Sequence, residues 1–198
     1  MLERLVFMER DDYLSAIKPR MPEKRFIHTI GVMETAISLA DMYGENRKSA
    51  ETAAILHDIA KYADEEWMRT IVKEHGLDER LADWGSEILH GPVGAWIAET
   101  EFNISNDDIL KAIRFHTTGR AGMSKLEKII FVADMIEPNR KFDGVEKLRD
   151  VANKDLDLAM KECICHSIRY LVQTEQPIFP VSIECYNHVI YLREDSEG

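Results

Sequence analysis

The sequence predicts an all-α protein built as one helical domain. Three observations predict it. Apolar residues recur at helical spacing along most of the chain, as in Phe26, Ile27, Ile30, Met33, Ile37 and Ala40. Gly and Pro stop and start signals separate these periodic stretches. No alternating apolar and polar stretch of useful strand length occurs.

A first helix is expected over the first seventeen residues, stopping before Pro19. The second runs from Pro22, suited to a first helical position, to Tyr43, with Gly44 as its stop. A third spans Lys48 to Tyr62. Asp64 caps a fourth that ends near His75 and Gly76. A shorter helical piece leads to Leu89. Gly91 and Pro92 then stand at the start of a helix in GPVGAWIAETEF. SNDDILKAIRFH opens on Ser105 and Asp108, spaced as a capping-box variant, and stops at Thr117, Thr118 and Gly119. SKLEKIIFVADMIEP opens on Ser124 and Glu127 in the same register and ends at Pro138. Two helices follow, near Gly144–Asn153 and Asp155–Thr174. Pro177 and Pro180 break the chain in QPIFP, and a last helix runs to Arg193 before a frayed EDSEG tail. There is no internal repeat and no Gly/Ser linker.

The chain of 198 residues is long enough for a sizeable core, and 45% apolar composition argues against disorder. With 36 acidic and 25 basic residues the net charge is −11. That field repels duplex DNA and anionic lipid, so neither a nucleic-acid nor a membrane partner is expected. An anionic substrate would need a local basic pocket or metal ions. Cys163, Cys165 and Cys185 are odd in number and form no CxxC, which fits a reduced compartment. MLERLVFMERDD turns acidic too early for a signal peptide. No apolar run approaches the ~18 residues of a membrane span. A cytoplasmic, soluble protein is the expectation.

AAILHDIAKYA, Ala53 to Ala63, places His57, Asp58 and Lys61 in a mostly apolar helix. An isolated buried charge costs on the order of several kcal/mol, so these groups must be paired, metal-bound or in a wet cleft. His28, His90 and His116 also lie on or at the ends of apolar helices, and Asp134 follows the apolar run Ile129 to Val132. A lone His on such a face is usually a hydrogen-bonded core residue. Five such sites on five helices point instead to a shared divalent first-row metal. Arg25 precedes His28 by one helical turn, Lys61 follows Asp58 by one turn, and Arg140 lies just past the helix of Asp134. Cations flanking a metal suit phosphoryl chemistry.

His28, then His57-Asp58, then Asp134 resembles the H…HD…D signature of the HD-domain metal-dependent phosphohydrolases. RFIHTIGV, LHDIAK, LHGPVGA, RFHTTGR and ADMIEPNR, in that order, are similar to the YqeK-type branch, bacterial symmetrical dinucleoside-tetraphosphate hydrolases. The similarity spans Arg25 to Arg140, with a weaker echo in QPIFPVS.

The resemblance implies an HD-domain helical bundle, a single domain with its motif core over residues 22–140 and C-terminal helices over 141–193 completing the nucleotide pocket. It implies His28, His57, Asp58 and Asp134 as metal ligands for one or two ions, with iron as the native metal and manganese or another first-row ion as the alternative. It implies that Arg25, His28, Asp58, Lys61, His90, His116, Thr117, Asp134 and Arg140 face the substrate. His90 and His116 complete a second metal site in other HD branches, and the sequence leaves the two roles open. Pro177, Ile178, Phe179, Pro180, Val181 and Ser182 match a loop near the nucleoside, though core packing of Phe179 is an open alternative.

The expected reaction is attack of a metal-generated hydroxide on a β-phosphorus of diadenosine tetraphosphate, releasing two ADP, with Asp58 and Lys61 as catalytic residues. A homodimer is compatible with all of this. The rival readings are a nucleoside monophosphatase, a dNTP triphosphohydrolase or a non-catalytic nucleotide-sensing module. Product analysis separates them.

Overall fold

The computed structural model describes residues 8–194, and among them ten α-helices and no strand form. The helices are α1 (Arg10–Ile17), α2 (Glu23–Tyr43), α3 (Arg47–Leu56), α4 (Glu65–Glu74), α5 (Ser86–Thr100), α6 (Asp107–Arg114), α7 (Lys125–Ile136), α8 (Val145–Ala152), α9 (Leu156–Gln173) and α10 (Pro180–Glu194). The first residues of the expected N-terminal helix and most of the expected frayed tail lie outside the described residues. No helix is long and apolar enough to cross a membrane, among the described residues.

α7 is the hub. Its IIFVA run has no polar face, so it must be covered on all sides. α2, α3, α6, α8 and α9 all pack on it. Ile129, Ile130 and Phe131 are fully buried there, alongside Ile55 and Leu56 of α3 and Ile113 of α6. α5 completes this side of the core by packing on α4 and α6. A charged residue on the far end of that apolar run, such as Asp134, therefore reaches water only through a cleft, whereas Lys125 and Lys128 at the start of α7 stay at the surface.

Local signals set most boundaries. Gly44 takes the left-handed conformation at the end of α2, with φ of 64°. Ser124 and Glu127 form the expected reciprocal capping box on α7. Glu127 also binds Arg120 through two contacts of 2.7 and 2.6 Å, which satisfies a fully buried carboxylate.

Four boundaries differ from expectation. α1 starts at Arg10, with Glu9 as its N-cap, rather than running back through Met8. α3 stops at Leu56 rather than Tyr62. His57 to Tyr62 continue as tight turns, with Lys61 N–H bonding to the Asp58 carbonyl and Ile59 N–H to that of Leu56. Adjacent residues of an α-helix point about 100° apart. In the i→i−3 turns seen here the divergence grows to about 120°, and the His57 and Asp58 side chains nevertheless bend to within 3.0 Å of each other. α5 starts at Ser86 and runs through Gly91 and Pro92 without a break. An interior Pro costs roughly 3 kcal/mol. Burial of Leu89, Val93 and Ile97, each worth about 1.5–3 kcal/mol, outweighs it. Finally, the cap of α6 is Asn106, whose side chain accepts from Asp108 and Ile109 N–H, and not Ser105.

Candidate metal centre and its two clefts

α2 delivers Arg25 and His28, one turn apart. The tight turns after α3 deliver His57, Asp58 and Lys61. α5 contributes His90, the end of α6 contributes His116 and Thr117, and α7 contributes Asp134, with Arg140 just beyond it. His28, His57, Asp58, His90 and His116 are all buried.

Each of the four imidazoles is held the same way. Nδ1 of His57 bonds the Ala54 carbonyl at 2.6 Å, that of His90 the Ser86 carbonyl at 2.9 Å and that of His116 the Ile113 carbonyl at 2.7 Å. Nδ1 of His28 bonds the Glu137 carboxylate at 3.1 Å. These oxygens only accept, so Nδ1 carries the proton and Nε2 presents a lone pair. Orientation of a ring by its far nitrogen is the arrangement found behind metal-ligating histidines.

Asp58 lies between two pairs of those lone pairs. Its Oδ2 is 3.0 Å from His57 Nε2, 3.7 Å from His28 Nε2 and 2.9 Å from Arg25 Nη1. Its Oδ1 is 3.4 Å from His90 Nε2 and 3.7 Å from His116 Nε2. Asp134 Oδ1 is 3.0 Å from His28 Nε2 and 2.5 Å from Arg140 Nη2.

Among the described residues, four buried side-chain atoms lack a hydrogen-bond partner: His28 Nε2, His57 Nε2, Asp58 Oδ2 and Arg114 Nε. Three of the four converge on one point. Buried polar atoms left unpaired cost about 1–3 kcal/mol each, so their convergence calls for a ligand. Imidazole nitrogens and carboxylates suit a divalent first-row cation. Candidate ligand atoms of His28, His57 and Asp58 lie within 4.8 Å of one another, as do those of His57, His116 and Asp134, and of Asp58, His90 and His116. The residues therefore fit a divalent metal.

Electrostatics agree with this fit. Burial works against the charge of Asp58, but His57 and His116 outweigh it and hold the carboxyl well below its usual range. Burial likewise opposes Asp134, and the His28 contact and Arg140 charge overturn it, keeping that group ionised. Burial, His116 and Lys61 push His90 down to about 3, so it is a neutral donor at any physiological pH. Burial disfavours charge on His57 as well, yet the Asp58 carboxylate prevails and raises its affinity for protons. A bound cation and a proton therefore compete for His57.

His90 and His116 form a second focus. Their Nε2 atoms are 3.0 Å apart, and Thr117 Oγ1 lies 3.2 and 3.1 Å from them. One hydroxyl proton cannot satisfy two lone pairs. A further proton or a cation completes this pair.

Lys61 bonds Glu87 at 2.5 Å and acts on His90 through its charge. The QPIFP segment is only partly a loop: Pro180 opens α10, which carries Val181 and Ser182. Pro177 is exposed, Ile178 half-buried, and Phe179 buried against Trp84 with ring centroids 5.1 Å apart. Phe179 and Val181 line a cavity of about 210 Å³ with Pro92, Arg114 and Thr118. A second cleft, of about 930 Å³, opens at Arg25, His28 and Arg140.

Sequence reasoning missed Glu137, the buried partner of His28. It stands one turn after Asp134, and that spacing on a site-bearing helix was the available signal. Glu87, which holds Lys61, and Tyr62, at the second cleft, were missed too.

The HD domain family model matches residues 25–139. The symmetrical bis(5'-nucleosyl)-tetraphosphatase of Halalkalibacterium halodurans is 48% identical over 92% of this chain and 98% of its own length. The Bacillus subtilis protein of the same name is 44% identical over the same shares. Among solved structures, a predicted HD superfamily hydrolase involved in NAD metabolism from Clostridium acetobutylicum superposes with a TM-score of 0.88. It is 36% identical and the match covers 93% of this chain and 98% of that one.

Proposed function

The chain belongs to the HD domain family, and we propose on that premise that it hydrolyses diadenosine tetraphosphate symmetrically into two ADP. One observation carries the reading. Three buried ligand atoms that form no hydrogen bond meet at one point in a chain that matches enzymes of this name over nearly its full length.

His28, His57, Asp58 and Asp134 would hold the metal. The donor set suits a divalent first-row ion. Iron follows from the family resemblance, with manganese or another first-row ion as the alternative. When bound, the ion lowers the pKa of water and draws charge from phosphate oxygens. Asp58 orients the attacking water towards a β-phosphorus. Arg25, Lys61 and Arg140 stabilise the charge that builds on the non-bridging oxygens. In the free protein these cations rest on Asp58, Glu87 and Asp134, which keeps them near the reacting atoms. The water oxygen bonds to phosphorus as its proton passes to solvent, the bridging P–O bond breaks, and ADP leaves with the electron pair. ADP is a good leaving group, so a strong general acid is not needed. Asp58, His90 and His116 would take a second ion, as the lone-pair pairing of the two imidazoles favours. Phe179 and Val181 would wall the base of one substrate half, with Arg114 Nε as a polar handle.

Every group in this scheme comes from one chain, so the site does not require a homodimer. Three free cysteines support a reducing, cytoplasmic setting for the enzyme.

The test is chromatography of products after metal-loaded protein meets diadenosine tetraphosphate. ADP as the sole nucleotide product supports the proposal. ATP with AMP, adenosine with phosphate, or binding without turnover overturns it.

A further inference from the structure

We propose that the cleft bounded by Tyr62, Ile27 and Phe142 is a second nucleoside subsite, which holds the departing half of the dinucleotide. This rests on the function proposed above. A symmetrical cut places the reacting centre at the middle of the tetraphosphate. A nucleoside diphosphate must then extend to each side.

The imidazoles form a row. His28 and His57 ring centroids are 5.7 Å apart, His57 and His116 are 4.9 Å apart, and His116 and His90 are 4.9 Å apart. Asp58 sits along that row with one oxygen towards each end. The Phe179 cavity is lined by Pro92 and Thr118, which stand two residues along the chain from His90 and His116 respectively. The larger cleft contains His28 itself and so opens at the other end. One cavity thus lies on each side of the centre.

The composition of the second cleft matches a nucleotide. Lys24, Arg25, Arg140 and Lys141 outnumber Glu23 and Glu137 there, in a chain of net charge −11. Arg25 and Arg140 rest on Asp58 and Asp134 in the free protein, so Lys24 and Lys141 add the cationic charge that a polyphosphate would meet there. Tyr62 is 53% exposed and Ile27 50% exposed, two large apolar groups left uncovered on the same cleft. Tyr62 shares the cleft with Arg25 and adds to the field that keeps its guanidinium charged, which sets the ring beside the phosphate path. An aromatic ring next to a cationic track is how proteins hold a nucleobase without reading its edges.

The test compares diadenosine tetraphosphate with adenosine 5'-tetraphosphate. Both offer the same central P–O–P bond, and the second yields ADP and pyrophosphate. Only the first has a nucleoside for the second subsite. In Tyr62→Ala and in Ile27→Ser, the ratio of kcat/KM for the two substrates should fall about tenfold towards unity, the loss expected for one stacking contact. Tyr62→Phe keeps the ring and should keep the ratio. An unchanged ratio in Tyr62→Ala, or an equal loss in Tyr62→Phe, overturns the subsite. A wild-type protein that makes no ADP from either substrate overturns the proposed function instead.

Discussion

Asp58 carries two jobs, because each of its oxygens faces a different pair of imidazoles. Asp58→Asn keeps the shape and removes the charge. It should lower turnover by at least about 100-fold and also lower bound metal, measured by elemental analysis. Lys61→Ala should cut turnover while leaving metal content near wild type, which separates the two roles. Behind His28, Gly31 allows Glu137 its position. A Cβ at Gly31 would come within 2.4 Å of Glu137 Oε2, and that oxygen is pinned by Asn139 N at 2.7 Å and Nδ2 at 3.0 Å. Gly31→Ala should therefore displace the carboxylate that orients His28, weakening metal affinity about 10–100-fold in a chelator competition. The ligands themselves were legible in the sequence because a charge inside an apolar run is a conflict that demands a partner. Glu137 was not, since an acid beside Pro138 at a helix end looks like an ordinary solvated terminus. Protonation adds a prediction for the metal-free protein. His57 is raised above its ordinary 6.5, so its contribution is complete below pH 6.5 and lost as pH rises through the raised value. His90 stays neutral down to about 3, whereas in the unfolded chain it protonates near 6.5. Stability then falls as pH drops below 6.5, by about 1.4 kcal/mol per pH unit for one proton. Asp58 and Asp134, both depressed, contribute throughout this range and fail only in stronger acid. Urea midpoints in chelator should peak near pH 6.5. A steady rise from pH 5 to 8 would count against the assignment.

Among the elements, the helices and their order were readable from periodicity and punctuation, and the errors fall where tertiary packing overrides a local rule. Pro92 reads as a helix start because isolated helices avoid interior proline, yet α5 continues through it under the pressure of its buried apolar face. The end of α3 is invisible in sequence for the opposite reason. LHDIAKY has ordinary helical propensity, and nothing in its local pattern marks the change from α-helix to the tight turns of His57 to Tyr62. Gly91 shows how closely the elements that carry the site approach each other. A Cβ there would lie 2.6 Å from the carbonyl oxygen of Arg114, a backbone atom of α6 that cannot rotate away. Gly91→Ala should push α5 from α6, costing about 1–3 kcal/mol in urea unfolding. Because His90 rides on α5 and His116 follows α6, specific activity per folded molecule should fall as well. Stability loss with unchanged specific activity would show that the helix spacing does not set the site.

Across the whole molecule, the metal centre ties together segments that are distant in the chain. His28 belongs to α2, His57 and Asp58 follow α3, and Asp134 lies on α7, the hub on which α2 and α3 both pack. A cation bound only by the folded arrangement stabilises it by mass action, about 2.7 kcal/mol at a hundredfold excess over Kd. In a chain of this size each kcal/mol moves Tm by roughly 2–4 °C. Chelation should therefore lower Tm by about 5–10 °C, and stoichiometric metal should restore it. The same titration counts the ions. Two sites joined through Asp58 should give two equivalents in the wild type and one in His90→Ala, with most of the Tm gain retained by that variant. The reason lies in the topology: the His28–Asp134 end spans α2, α3 and α7, whereas the His90–His116 end joins α5 to α6, which already pack together through apolar side chains. Equal Tm in the presence and absence of chelator would mean that the buried lone pairs find water rather than a cation, and the clip across the bundle would have to be abandoned.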